Sequence, residues 1–336
     1  MTHEIKHIVT AYGRALEMGQ KAVLASVVAL EGSSYRRPGV RMLLLENGAS
    51  YGAVSGGCVE KEVYRQATGV FQSGTPRMMT YDGRFRLGCE GILHILLEPF
   101  HPGSGFLEAF SAQIASREPF EMESRYQIPD GPLAGMGTQF LLSGDSYPCG
   151  KSLEHEGLQT FRQTLSPCMR LEIFGGEHDA VQLAGLAGLM GWEVRVTVAA
   201  DEAKTLENFP GATHFRAIVP EALDASDIDP QTAVILMTHS YNKDLKYLLG
   251  LSGAQPGYVG ILGPAYRRER LINDLLERRP DLDPDWVDRL HGPAGLDVGA
   301  ETPQEIGISI LSEILSVFRQ TNPISLKDKT GAIHTP

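Results

Sequence analysis

Three arginines, Arg36, Arg37 and Arg41, fall within six positions of the stretch GSSYRRPGVR. They sit among Gly, Ser and Pro, directly after the apolar run AVLASVVAL. Ser33, Ser34 and the guanidinium groups are hydrogen-bond donors. Further on, the turn SGGC places Gly56, Gly57 and Cys58 at the expected start of a helix, where backbone N–H groups have no intrahelical partner. Guanidinium forks and a helix N-terminus both favour an oxyanion or a phosphate. A second reading stands beside this one: Arg36 and Arg37 form a solvated turn that pairs with Glu31 or Glu60.

Sulfur chemistry is the next candidate. Cys58 lies at that helix start, where the macrodipole and nearby arginines lower a thiol pKa. Cys89, in RLGCEG, lies in a glycine-bounded loop. The alternative for both is a small buried hydrophobe, the usual role of a free cysteine. Cys149 and Cys168 fall in a linker region and carry no functional expectation. The four cysteines have no CxxC spacing, and no HExxH or His/Cys cluster marks a metal site.

In the carboxyl-terminal half, FGGEHDA follows a strand and precedes a helix, where a dinucleotide fold binds its pyrophosphate. Gly175, Gly176 and Ala180 belong to this turn. Gly175 and Ala180 match the outer positions of G-x-G-x-x-G/A, but Glu177 stands at the middle glycine. The next strand ends in Ala199-Ala200, with Asp201 one step late for a ribose acid. NAD(P) is therefore disfavoured as a ligand while the fold signal is kept. The other strand-end loops are THS, with His239; GPAYRRER, with Arg267; and HGPAGLDVGAETP, with Asp297. Ligands of open α/β sheets bind outside the carboxyl ends of the strands.

The elements that position these residues follow from periodicity. EIKHIVTAYGRALEMG is a helix ending at Gly19, and KAVLASVVAL a buried strand. VRMLLLENGASYGAV is a hairpin around Asn47-Gly48. VEKEVYRQATGVF is a helix; RMMTYD and GILHILLEPF are strands. From Pro102 to Pro167 the pattern weakens to one helix, SGFLEAFSAQIAS, and two short strands, read as an appendix and a linker. From Met169 strands and helices alternate, which implies a parallel sheet covered by helices. ETPQEIGISILSEILSVFRQ opens with Thr302, Pro303 and Glu305, a capping box. The fold expected is α/β. An N-terminal α+β domain with mainly antiparallel strands spans 1–165 with its linker. A Rossmann-like parallel sheet flanked by helices spans 166–322, and 323–336 is a tail.

The chain has 336 residues, 42% of them hydrophobic and 21% charged, with a formal net charge of -11. That balance excludes a nucleic-acid coat and a polybasic membrane anchor. No apolar run reaches the roughly 18 residues of a membrane span. The start, MTHEIKHIVT, has no secretory pattern, so a cytoplasmic protein with reduced thiols is expected.

EGSSYRRPGVRML, GAVSGGCVEKEV and LGCEGILHILLEP resemble the amino-terminal domain of the XdhC/CoxI family, the accessory proteins of xanthine dehydrogenase and carbon monoxide dehydrogenase. LEIFGGEHDA, VILMTHSYNKDL, GYVGILGPAYRRERL and RLHGPAGLDVGAETPQEIGISILSEI resemble its carboxyl-terminal Rossmann-like domain. The resemblance implies a maturation factor and not a dehydrogenase. Such a protein binds molybdenum cofactor and protects it during sulfuration, with sulfur from a cysteine desulfurase. It then delivers the cofactor to a xanthine-dehydrogenase-type enzyme. Arg36, Arg37, Pro38, Gly39, the SGGC turn and Cys89 fall on the family's amino-terminal motifs, and Cys58 and Cys89 become candidate molybdenum contacts. The residue chemistry agrees: the pterin cofactor carries a phosphate and an anionic oxo-metal dithiolene, which guanidinium forks, N–H groups and thiolates match. A homodimer is the expected state for a small cofactor carrier. The rival readings are an NAD(P)-dependent oxidoreductase and a scaffold that recruits the desulfurase or the apoenzyme.

Overall fold

The computed structural model describes residues 2–32, 37–55, 57–83, 91–128, 130–150 and 157–330, Cys58 by its backbone alone. Contacts divide the chain into two compact units, Met1–Pro167 and Cys168–Pro336.

The first unit opens with helix α1 (Thr2–Glu17) and strands β1 (Ala22–Glu31), β2 (Arg41–Leu45) and β3 (Ser50–Gly52). Helix α2 (Cys58–Ser73) and strands β4 (Arg77–Asp82) and β5 (Ile92–Pro99) follow. Then come α3 (Phe106–Ser116), β6 (Phe120–Tyr126), β7 (Gly131–Pro132), β8 (Gly137–Leu142), β9 (Asp145–Pro148) and β10 (Gln159–Leu165). One sheet has the order β3-β2-β1-β5-β4-β7 and a second the order β10-β6-β8-β9. Every pairing in both is antiparallel.

Strand alternation explains the layers. Val23, Ala25 and Val27 of β1 pack with Val59, Val63 and Ala67 of α2. Ala22 and Leu24 face the other way, into a core with α1, Met122 and Phe140. The hairpin expected at Asn47-Gly48 forms, with the Asn47 Oδ1 accepting the Ala49 N–H at 2.9 Å. The stretch read as an appendix and linker instead builds α3 and the whole second sheet. Its strands are short, and the Gly- and Pro-rich turns between them obscure the pattern. FEMESRY nevertheless alternates at Phe120, Met122, Ser124 and Tyr126, all buried, and the one buried residue of the other face, Glu123, is held by Arg125 and Arg162.

The second unit contains β11 (Arg170–Phe174), α4 (His178–Leu189), β12 (Glu193–Ala199), β13 (His214–Ile218) and β14 (Thr232–Leu236). Next are α5 (Tyr241–Leu251), β15 (Tyr258–Ile261), α6 (Ala265–Arg278), α7 (Pro284–Val287), β16 (Leu290–His291) and α8 (Pro303–Arg319). The sheet is parallel throughout, with order β13-β12-β11-β14-β15-β16. Counted within this unit the order is 3-2-1-4-5-6, that of dinucleotide-binding folds, with the switch point between β11 and β14. The expected α/β architecture is therefore observed. Strands β11 and β14 are buried along their whole length, as a sheet covered on both faces requires. The capping box of α8 is present: Thr302 Oγ1 accepts the Glu305 N–H at 3.3 Å, and Glu305 Oε2 accepts the Thr302 N–H at 2.9 Å. Among the described residues no helix is long and apolar enough to cross a membrane.

Candidate functional site

The register of the first sheet delivers the motif loops to one of its ends. Glu31, the last residue of β1, pairs with Ile92, the first of β5. Arg41 at the start of β2 pairs with Ser26 of β1, Gly52 at the end of β3 with Met42, and Asp82 at the end of β4 with Ile92. The strand ends at 31, 41, 52, 82 and 92, which flank these loops, thus all lie at the same end of the sheet. Ser33, Ser34, Arg36, Gly56, Cys89 and the Cys58 side chain lie outside the described residues. Arg37 is described and exposed.

The third arginine of the opening stretch turns inward. Arg41 is 3% exposed. Its Nη1 donates to Gln163 Oε1 at 2.5 Å and to the Gly39 carbonyl at 2.8 Å. Burial lowers its pKa to about 10, against the neighbouring Cys149 and Glu98, which raise it. Gly39 has a packing reason of its own. With φ +97, a Cβ there would lie 2.4 Å from the Gln163 amide nitrogen. The SGGC turn is also engaged: Glu60 Oε2 accepts the Gly57 N–H at 2.6 Å, and its Oε1 accepts the Ser55 N–H at 2.7 Å. A carboxylate of α2 therefore holds the donors that an incoming oxyanion would take. Glu60 is used this way and Glu31 pairs with His94.

Sequence reasoning does not single out His94. It is buried on β5, with Nε2 2.9 Å from Glu31 Oε1 and Nδ1 3.2 Å from Thr80 Oγ1. A signal for it exists: GILHILL puts a histidine inside an apolar strand immediately after the LGCEG loop. This places a buried imidazole at the sheet end from which the loops leave.

In the second unit Gly175, Gly176 and His239 meet at the switch point. A Cβ on Gly175, which has φ +141, would lie 2.5 Å from the Met237 carbonyl oxygen. One on Gly176 would lie 2.7 Å from Glu202 Oε2. Both glycines let the β11–α4 turn lie against its neighbours. His239 Nε2 is 3.4 Å from Asp179 Oδ2, and Lys243 Nζ is 3.2 Å from Asp201 Oδ1 and 3.3 Å from Glu202 Oε1. The hydrogen bond from Lys243 holds the Asp201 carboxyl below its ordinary range. Four carboxylates, counting Glu177, thus rim the crevice where a diphosphate would lie. The residues present do not fit NAD(P): acids able to reach a ribose are engaged by Lys243, and Glu177 and Asp179 repel the phosphates.

Arg267 and Asp297 have separate surroundings. Arg267 Nη2 donates to the buried Asp244 Oδ2 at 2.7 Å, and Asp244 Oδ1 accepts the Thr238 hydroxyl at 2.6 Å. This chain ties the loop after β14 to α6. Asp297 lines a cavity of about 410 Å³ between the loop after β16 and the first turns of α8, at Ile306 and Ser309.

Of the remaining thiols, Cys149 is fully buried, and burial pushes its pKa well up, so it stays a neutral thiol. Among the described residues no group of His, Cys, Asp and Glu has the arrangement of a metal site.

Comparison with known proteins accords with this geometry. The family model for the XdhC and CoxI family matches residues 15–82, and that for the XdhC Rossmann domain matches residues 171–314. A probable xanthine dehydrogenase component of Bacillus subtilis is 30% identical over 333 residues, covering 91% of this chain and 96% of that protein. The molybdenum cofactor insertion chaperone PaoD of Escherichia coli is 27% identical over 326 residues, covering 94% of this chain and 90% of its own. A crystal structure of a xanthine dehydrogenase from Bacillus halodurans superposes with a TM-score of 0.75 at 27% identity, covering 96% of this chain and 98% of that one. The chain belongs to the XdhC and CoxI family.

Proposed function

We propose that this protein binds molybdenum cofactor as cargo, shields it during sulfuration and passes it to a xanthine-dehydrogenase-type enzyme. The sulfur comes from a cysteine desulfurase, and the carrier acts as a cytoplasmic homodimer. The observation that carries this reading is the match to a molybdenum cofactor insertion chaperone over 94% of the chain. The strand ends that lead into the arginine, SGGC and LGCEG segments fall at one end of the sheet, which supports it. Arg36, Arg37 and Ser33 supply anion contacts, and Gly57 does so once Glu60 yields its N–H. Cys58 or Cys89 lies beside molybdenum, a soft-ligand role suited to thiolates.

Purification from a cofactor-producing host tests the reading, by mass spectrometry and by fluorescence of the oxidised pterin. Replacing Arg36 and Arg37 together by Ala lowers the bound pterin before it affects any complex with the apoenzyme. A pure scaffold shows the reverse order. An oxidoreductase reading draws on the 3-2-1-4-5-6 strand order, but the carboxylate rim opposes it. Titration with NADH decides it, and the cargo reading expects no response at micromolar concentrations.

A further inference from the structure

The carboxyl end of β16, an edge strand of the parallel sheet, carries a cavity that the cargo reading does not use. The loop between β16 and α8 encloses its volume of about 410 Å³ together with Ile306 and Ser309. That volume is within the range of small-ligand sites. The loop is fastened to its surroundings. Leu296 N–H donates to the Ser309 carbonyl at 3.3 Å, and Ser309 Oγ donates to the Leu296 carbonyl at 2.5 Å. Gly295 N–H donates to Glu313 Oε2 at 2.8 Å, and the Tyr258 hydroxyl donates to the same oxygen at 2.5 Å. With φ +115, Gly295 lies so near α8 that a Cβ would be 2.4 Å from Ser309 Oγ. The walls are therefore set before any ligand arrives, which lowers the ordering cost of binding.

The lining has a narrow chemistry. Asp297 is its one charged residue among the described residues, and it is exposed. Its carboxylate makes no hydrogen bond or ion pair with any described residue. Leu296, Val298 and Ile306 supply apolar wall, and Val298, 63% exposed, stands at the mouth. No Lys, Arg, His or aromatic ring lines the cavity among the described residues. A lone carboxylate beside such walls repels phosphates and carboxylates, and it offers too few oxygens for Ca²⁺ or Mg²⁺, which take six or more. It suits one positive charge on an aliphatic stem. Glu301 and Glu305, both exposed and next in sequence to the lining residues Ala300 and Ile306, add negative charge nearby.

We infer that this cavity is a docking site for a lysine side chain of a partner protein, with the ammonium on Asp297 and the methylene stem along Leu296, Val298 and Ile306. Charge complementarity selects the ammonium. An arginine would bring five N–H donors to a single carboxylate and leave most of them unpaired. A lysine stem leaves much of the volume unfilled, so an apolar neighbour from the same partner segment has room against Val298. This site is separate from the cargo reading, which is decided by what co-purifies.

The test is methyl NMR of the full chain, following the Val298 and Ile306 signals as probes are added. The probes are the capped tripeptide Leu-Lys-Leu, the same peptide with uncharged norleucine in place of lysine, and n-butylammonium. The lysine peptide shifts both signals at about 5 mM or below. The norleucine peptide binds at least about threefold more weakly, the loss expected for one exposed ion pair. Asp297→Asn weakens the lysine peptide by the same factor and leaves the norleucine peptide unchanged. Val298→Ser weakens both peptides. Both substitutions are at exposed positions, where the fold tolerates them. No shift of either signal at about 5 mM, equal binding of the two peptides, or undiminished binding by Asp297→Asn overturns the inference. Butylammonium binding as tightly as the lysine peptide assigns the cavity to a free amine and overturns the protein partner.

Discussion

The Nε2 of His94 lies 2.9 Å from Oε1 of Glu31, joining a buried imidazole on β5 to the carboxylate at which β1 enters the arginine loop. The other ring nitrogen faces Thr80 Oγ1 at 3.2 Å, and that hydroxyl donates to Asp130. Both ring nitrogens are therefore engaged although the ring is buried. His94→Leu strips partners from Thr80 and Glu31 and is expected to cost about 1–3 kcal/mol. Glu31→Gln is expected to cost under about 1 kcal/mol, because the Glu31 side chain is 63% exposed. Urea unfolding of the two variants checks the order. If Glu31→Gln lowers cofactor loading while leaving stability nearly unchanged, the pair serves the site as well as the fold.

Gly39 falls within the family's arginine motif, yet its surroundings are those of a packing residue. Gly39→Ala combines a left-handed backbone, φ +97, with a Cβ 2.4 Å from the Gln163 amide. A loss of more than about 2 kcal/mol is expected. Adding Gln163→Ala removes the clash but also a partner of Arg41. A double-mutant cycle should therefore give a coupling of about 1 kcal/mol or more. Strict additivity would place the cost in the backbone alone.

Glu60 already accepts the Gly57 and Ser55 N–H groups, the donors that the proposed anion site at the SGGC turn requires. Glu60→Ala should destabilise α2 by about 1 kcal/mol through loss of the cap. The same change should raise the amount of pterin retained on purification, because the donors are released. A variant that loses both stability and pterin would show that the carboxylate shapes the site and does not compete for it.

Glu98 gives a pH signature. Burial raises its carboxyl to about 7, against the bonds from Thr138 and the charge of Arg41, which lower it, from an ordinary value of 4.5. Between these values the folded chain holds a proton that the unfolded chain has released. The contribution of Glu98 to stability is therefore complete below about 4.5, falls as pH rises, and is lost above about 7, a span of about 3 kcal/mol. Glu98→Gln should flatten this slope and be more stable than the wild type at pH 8. Denaturant midpoints at pH 5 and pH 8 measure it, and an unchanged slope would assign the titration to other groups.

Much of this molecule is legible in its sequence, and the parts that are not have physical causes. The parallel sheet announces itself through TAVIL, apolar after Thr232, and through RLEIF running into the glycine turn, and α8 through Thr302, Pro303 and Glu305. The second sheet is harder to read because its strands are short and separated by Gly- and Pro-rich turns. Alternation in FEMESRY is the surviving trace. Loop residues such as Arg37 are visible by composition, since basic residues stand out in an acidic chain. His94 and Glu98 lie inside apolar strand runs, where a polar residue reads as an interruption. Their importance comes from partners far away in sequence, Glu31 and Thr138, which only the fold brings together. Glu60 shows a further limit: the motif predicts free N–H groups at the helix start, whereas the helix's own first turn supplies a carboxylate to cap them.

The most direct test of the cargo reading is mass spectrometry of the intact protein, purified under oxygen-free conditions from a host that makes molybdenum cofactor, beside the Arg36→Ala/Arg37→Ala double variant. Wild-type protein carrying a molybdopterin mass, with the double variant carrying little or none at equal fold stability, is the result this account predicts. Wild-type protein free of any pterin, from a host whose molybdoenzymes are fully loaded, would contradict it.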